Sequence, residues 1–211
     1  MQKNGIDTKN AEALGLYEPR KELLQSREVL TTTSSPKLTD IVAKTNTKSI
    51  NTYAEALVKM IGYKQKQEGS TAAGTEVIAE YWKSTGIDME GFIMEDGSGL
   101  SRFNAITAQQ MGQIMRKSGS MPWFPHFYSS LAIAGKTGTL RNMCKGEAAQ
   151  GRVFAKSGSI NRVRCYTGYA NTYHGKQVAF AIFVNSYTGK YSSLTPHFER
   201  FFNSLTQLYW E

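Results

Sequence analysis

Two short patterns carry the residue types of covalent serine catalysis: Ser49-Ile50-Asn51, and Lys156-Ser157-Gly158 with Ser159 directly after it. Each is built from three common residues and says little alone. Placement gives them weight. The first stands immediately before a helical stretch, where a hydroxyl and an amide can point into a cleft from a rigid base; the second lies on the strand that opens a three-strand run. An active-site serine, a lysine, a Ser-x-Asn element and a Lys-Thr-Gly strand together form one known catalytic arrangement. Lys136-Thr137-Gly138 matches the last of these letter for letter, yet it sits in a glycine-punctuated stretch from Ala134 to Asn142. Val153, Phe154 and Ala155 lead into Lys156 and two further strands follow it, so the strand lysine is assigned to Lys156.

The elements that must hold these groups follow from period. The chain turns helical at Leu38, and Ala54, Leu57, Val58 and Ile61 then fall at i, i+3, i+4 and i+7, predicting an amphipathic helix closed by Gly62. A second helix is predicted from an N-cap at Ser70 through Val77, Ile78, Tyr81 and Trp82 to near Gly86, and a third after Thr107 through Met111, Ile114 and Met115. Between them, Asp96-Gly97-Ser98-Gly99-Leu100-Ser101-Arg102 predicts a tight, shaped loop. The period then drops to two over Arg152 to Lys156 and over Val163, Cys165, Thr167 and Tyr169, ahead of the apolar run Val178 to Val184. Thr195-Pro196 reads as cap and first-turn proline of a closing helix whose stripe of Phe198, Phe201, Phe202, Leu205 and Tyr209 must pack on the sheet. Residues 1–30 predict a linker or the remnant of a preceding segment, leaving 31–211 as the folded part. The expected fold is α/β: an antiparallel sheet backed by the last helix and flanked by a helical cluster over 37–118.

Composition narrows the classes. With 211 residues, 40% of them apolar, the chain is long enough for one ordinary domain with a real core. Its longest apolar run, Val178 to Val184, is far short of the ~20 residues a membrane helix needs, so no membrane span is expected. The net charge of +8 raises an anionic envelope or nucleic acid as partners. No run of five basic residues and no arginine-aromatic interleaving supports the second, so no nucleic-acid partner is assigned. The 2 cysteines, Cys144 and Cys165, have no zinc-site spacing, and whether they pair is left open. Met1 to Asp7 is polar throughout, so no secretory leader is expected in this chain.

Taken together, several stretches resemble the class C penicillin-binding D-alanyl-D-alanine carboxypeptidases and endopeptidases that trim bacterial peptidoglycan. They run in order: Ser35-Pro36-x-Leu38; Asn46-x-x-Ser49-x-Asn51-x-x-Ala54-Glu55; Gly69-Ser70-Thr71; Asp96-Gly97-Ser98-Gly99-Leu100-Ser101-Arg102-x-Asn104; Gly138-Thr139-Leu140; and Ala155-Lys156-Ser157-Gly158-Ser159. The resemblance implies the serine β-lactamase and DD-peptidase type of domain and hydrolysis through an acyl-serine. It gives Ser49 a proton relay to the leaving amine, Asn51 the substrate's peptide carbonyl, and Lys156 a fixed positive charge near the substrate carboxylate. It gives Ser157 and Ser159 hydroxyls for that carboxylate, and the Ser159 N–H half of the oxyanion hole. Gly158 would let the D-Ala-D-Ala end lie along the strand edge. Peptidoglycan stem peptides are the implied partners, β-lactams the implied inhibitors of the full enzyme, and the periplasm or outer cell surface the implied place of action. No metal or other cofactor is called for.

Two departures matter. The family has Thr at the position of Ser157, where the hydroxyl is retained. The family also acylates a serine in Ser-x-x-Lys at a helix start, and here that spacing occurs only at Ser34-Ser35-Pro36-Lys37, where the family carries its Ser-Pro-x-Leu stretch. The chain therefore reads as the carboxy-terminal part of such an enzyme without its nucleophile, inactive by itself. The reading from another class is a non-catalytic module that binds peptidoglycan peptides or an envelope protein. For Ser49 and Asn51 the competing structural account is capping of the helix that follows. For Lys156 it is a solvated edge lysine.

Overall fold

The computed structural model describes residues 31–210, so the expectation for 1–30 lies outside the described residues. Among the described residues five helices precede the sheet: α1 (Leu38–Lys48), α2 (Asn51–Lys66), α3 (Thr71–Ser84), α4 (Ala108–Ser118) and α5 (Phe124–Ser130). A two-residue strand β1 (Ala132–Ile133), a 3-10 turn (Gly138–Leu140), β2 (Val153–Ile160), β3 (Val163–Asn171) and β4 (Gln177–Asn185) follow. A second 3-10 turn (Tyr191–Ser193) leads into α6 (Thr195–Gln207). Among the described residues the strands pair only with their sequence neighbours, all antiparallel, in the order β1-β2-β3-β4. The predicted fold class is the observed one.

Helix limits follow local chemistry. Ser70 caps α3 by accepting from the Ala73 N–H, and Thr107 and Gln110 form a reciprocal capping box at the start of α4. Gly62 does not close α2 as its composition suggested. The helix continues one more turn to Gln67, a left-handed residue whose N–H donates to Tyr63 O. Gly62 serves packing instead: a Cβ there would come 2.8 Å from Gly74 N, and a Cβ on Gly74 would come 2.1 Å from Val58 O. The two helices touch backbone to backbone, around buried Val58 and Ala73. Thr195 is likewise not the cap of α6. It is the first helical residue, behind Leu194, with Pro196 in the first turn, and Tyr209 lies beyond the helix and exposed. Helix α5 and strand β1 have no sequence-level prediction; Pro125 starts the one, and pairing to Phe154 and Ala155 defines the other.

The sheet is covered on both faces. On one, Phe198, Phe202 and Leu205 of α6 pack with Val153, Ala155, Tyr166, Ala170 and Phe180, joined by Leu140, Met143 and Cys144. On the other, Met111 and Met115 of α4 and the rings of α5 pack with Phe154, Tyr169 and Ala179, where Tyr128 stacks on Phe154 at 4.4 Å. No helix of the described residues is long and apolar enough to cross a membrane.

The Asp96 loop braces α2. Its carboxylate accepts from the N–H groups of Gly99, Leu100 and Ser101 and from the Asn104 amide at 2.7–3.1 Å, while Ser98 N–H donates to Glu55 Oε1 at 2.9 Å. Partial burial pushes the Asp96 carboxyl up, but the bonds from Asn104, Ser101, Gly99 and Ser98 outweigh it and leave the group below its usual range. Gly97 lies where a Cβ would come 2.6 Å from Ala54 O.

Two glycines in helices should respond oppositely to alanine. Gly74→Ala must separate α2 from α3 and should lower the thermal midpoint by ~2–12 °C, from about 1–3 kcal/mol of overpacking. Gly112 of α4 has nothing within 4 Å of its Cβ position. Gly112→Ala should therefore stabilise by up to ~1 kcal/mol through helix propensity. Thermal unfolding of both variants checks the pair.

Candidate active site

Ser49 terminates α1 in a left-handed conformation, φ 55° and ψ 54°. A non-glycine residue held there costs on the order of 1–2 kcal/mol, and its neighbours over-determine it. Asn46 donates from its amide to Ser130 Oγ at 2.7 Å, tying the last turn of α1 to α5. Gly138, at φ 58°, packs against the same turn, where a Cβ would lie 3.0 Å from Thr47 O. Ile50 then extends, and Asn51 opens α2 at the surface. The cap position of α2 is Ile50, with no side-chain cap, so Ser49 and Asn51 are not placed as capping groups.

Lys156 sits in β2, on the face that carries Phe154 and α4. Its Nζ donates to Ser49 Oγ at 2.9 Å and to Ser157 O at 2.6 Å. Burial holds the ammonium below the ordinary lysine range; the neighbouring Cys165 pulls the other way, and the charge of Arg164 adds to the lowering. A lysine so placed can hold an anion and can also share a proton with the hydroxyl it touches. Lys136, by contrast, lies exposed in the loop after β1, with its side chain against Gly151. The residue pair brought together from opposite ends of the described chain is Ser49 with Lys156.

The rest of β2 is more differentiated than its sequence. Ser157 is 8% exposed and its Oγ donates to Thr139 Oγ1 at 2.8 Å, so its proton is already engaged. Ser159 is exposed. At Gly158 a Cβ would lie 2.5 Å from Cys165 Sγ on the facing strand, so a cross-strand thiol fills the space a side chain would need. Strand β1 pairs only with Phe154 and Ala155, so among the described residues the outer edge of β2 from Ser157 to Ile160 carries no partner strand. Ser34 and Lys37, the other Ser-x-x-Lys spacing, lie before α1 and outside any helix. Both cysteines are free: Cys144 is buried, with its thiol pushed up to about 12 by burial and by Glu199 and Glu147, and Cys165 is half-buried. Sequence reasoning assigned no role to Thr139 or Arg164, because neither lies within either motif and each meets it only across the fold. No group of three metal-ligating side chains is placed to hold an ion among the described residues.

Residues 2–196 match the sequence profile of the D-Ala-D-Ala carboxypeptidase 3 (S13) family. The chain is 34% identical over 194 residues to a D-alanyl-D-alanine carboxypeptidase of Actinomadura sp. strain R39, covering 90% of this chain and 35% of that protein. Penicillin-binding protein 4 of Haemophilus influenzae, solved with a β-lactam, superposes with a TM-score of 0.74 at 26% identity, over 80% of this chain and 41% of that one. A structure of the TLA-3 extended-spectrum β-lactamase shares the fold alone, with a TM-score of 0.64 at 16% identity over 81% of this chain and 64% of that one. The chain thus spans about a third of the length of the curated relatives it matches.

The contact network can be checked without turnover. Burial raises the Cys165 thiol, and Lys156, Arg164 and the Gly158 N–H lower it. Lys156→Met removes the charge with the larger effect on that thiol while keeping the bulk of the side chain. Alkylation of Cys165 by iodoacetamide at pH 8 should slow severalfold in that variant, with Cys144 unreactive in both, as read by peptide mass spectrometry.

Proposed function

The chain belongs to the D-Ala-D-Ala carboxypeptidase 3 (S13) family, and on that premise we propose that it carries the proton-relay and carboxylate-binding half of a serine DD-peptidase site. The contact between Lys156 Nζ and Ser49 Oγ at 2.9 Å carries the reading. The acylating serine comes from a Ser-x-x-Lys segment outside this chain, since Ser34 to Lys37 lies in exposed non-helical chain. The substrate is a peptidoglycan stem peptide with a D-Ala-D-Ala end, and the place of action is extracytoplasmic.

In the proposed reaction the serine oxygen adds to the carbonyl carbon of the penultimate D-Ala, and the C–N bond to the last D-Ala breaks. Ser49 passes its proton to the departing amine and is recharged with the proton that the attacking serine gives up, while the Lys156 ammonium stays protonated and holds the Ser49 hydroxyl in place. Water then hydrolyses the acyl-serine and frees the enzyme. Asn51, at the open end of α2, holds the peptide carbonyl of the substrate. The unpartnered edge of β2 at Gly158 takes the extended peptide as an added strand, and the Ser159 N–H turns toward the developing oxyanion. Lys156 stays cationic while it holds the substrate's carboxylate, which offsets the burial that disfavours its charge. β-Lactams enter by the same route, opening on the serine. Cleavage of crosslinks between stem peptides uses the same acyl step with a larger leaving amine.

Two measurements test the reading. The chain by itself should form no covalent adduct with labelled penicillin by intact-mass spectrometry; an adduct mapping to Ser34 would place the nucleophile here after all. In the full-length protein, Lys156→Ala should slow acylation by on the order of 10²-fold or more, the effect of losing a fixed charge beside the reacting carbonyl, whereas Lys136→Ala should retain most of it. The reverse ranking would overturn the site.

A further inference from the structure

We infer that Arg164 is a specificity-determining residue that receives the substrate's free carboxylate beside Ser159. The inference rests on the reading above, that β2 takes up the acyl donor's carboxylate end, and adds a residue to it. Arg164 stands directly opposite Ser159 in the β2–β3 register. Directly opposed residues of an antiparallel pair project from the same face with Cβ atoms ~4.5–5.5 Å apart. The guanidinium therefore arises next to the one exposed hydroxyl of the Lys-Ser-Gly-Ser stretch.

Its orientation is fixed before any ligand arrives. Nε and Nη2 both donate to the Tyr166 hydroxyl, at 3.2 and 2.8 Å, and Nη2 also reaches the Tyr191 hydroxyl at 3.2 Å. The two hydroxyls meet at 3.0 Å, and the guanidinium carbon lies 4.3 Å from the Tyr191 ring centroid and 5.0 Å from that of Tyr166. Tyr166 is itself fully buried against Phe198 and Phe202 of α6, so the clamp is anchored in the core. An arginine has five N–H donors. These bonds leave both N–H groups of Nη1 without a protein acceptor among the described residues.

The charge is also uncompensated. The ion pairs among the described residues are those of Lys66 with Glu76 and Glu80, so no carboxylate meets Arg164 or Lys156. Arg164 projects from the sheet face opposite Lys156, yet its charge still lowers the proton affinity of that lysine, so an anion at the edge of β2, which is open to both faces, relieves both cations. Ser157 has its proton on Thr139, so it does not by itself meet that demand. A planar fork with free donors, stacked on aromatic rings and beside an exposed hydroxyl, matches a carboxylate, which it can bind with two parallel bonds. Arg164 acts here by binding, not by moving protons.

The test uses the full-length protein and two peptides, one ending in D-Ala-D-Ala with a free carboxylate and one with the same end as a carboxamide. Arg164→Ala should raise KM for the carboxylate peptide and reduce the carboxylate-over-carboxamide preference in kcat/KM by roughly tenfold or more, the loss expected for a charge-assisted bond. Arg164→Lys should recover part of that preference. If Arg164→Ala unfolds, Arg164→Gln, which keeps the stem, reads the same ratio. An unchanged preference, or an equal loss for both peptides, would show a clamp for Tyr191 only and overturn the inference. Lys156→Ala, run in parallel, separates the two levels: full turnover in that variant sinks the DD-peptidase reading, whereas loss of turnover there with an unchanged preference in Arg164→Ala sinks only the role of Arg164.

Discussion

A single hydrogen bond, from a strand lysine to a serine at a helix junction, sets the requirements for the rest of the molecule. Lys156 Nζ and Ser49 Oγ are 107 residues apart in sequence and 2.9 Å apart in space. Holding them so demands that the helical layer and the sheet keep a fixed spacing. The bonds that do this lie around the contact rather than in it. Asn46 ties α1 to Ser130 of α5, the 3-10 turn at Gly138 packs on Thr47, and Thr139 of that turn takes the Ser157 hydroxyl. The turn therefore touches both elements that carry the pair: α1 through its first residue and β2 through its second.

The same economy governs the backbone. Ser49 occupies a region of φ that glycine enters freely, yet glycine would have no hydroxyl for Lys156. The strain at one residue is balanced by contacts distributed over α1, α5 and the turn. On the other side, the Asp96 loop fixes the first turns of α2 through Glu55 and Ala54, four and three residues after Asn51. Both ends of the Ser-x-Asn element are thus immobilised by segments that belong to neither motif.

Much of this was legible in the amino-acid order, and the reasons differ by element. Strands β2 to β4 were plain because their faces alternate or run apolar, and nearest-neighbour antiparallel pairing needs no long crossover. Helix α3 announced itself through a cap that the structure uses, Ser70, and α4 through the apolar spacing after Thr107, whose capping box the structure adds. That Lys156 lies in a strand and the letter-perfect Lys136 in a loop was readable because a strand needs apolar residues leading into it, and Val153 to Ala155 supply them. The end of α2 was not readable. Gly62 looks like a terminator in sequence, whereas its role arises from the approach of α3, a tertiary fact. Helix α5 was hidden because its aromatic residues give no clear period over seven positions. The contacts around the outer half of β2 were hidden for a similar reason: Thr139, Arg164, Tyr166 and Tyr191 are scattered along the chain and converge only when β2 pairs with β3 and the last 3-10 turn closes on it.

Gly158 and Cys165 face one another so tightly that they form a lock with a preferred order of opening. A methyl added at 158 meets sulfur at 2.5 Å while the thiol stays. Trimming residue 165 to alanine first removes the obstacle. In a population of drifting sequences, a replacement of this glycine is eased by prior loss or displacement of the thiol at 165, and a larger residue at 165 works against it. The two positions, seven apart in sequence, are then expected to change as a correlated pair, with history running in one direction.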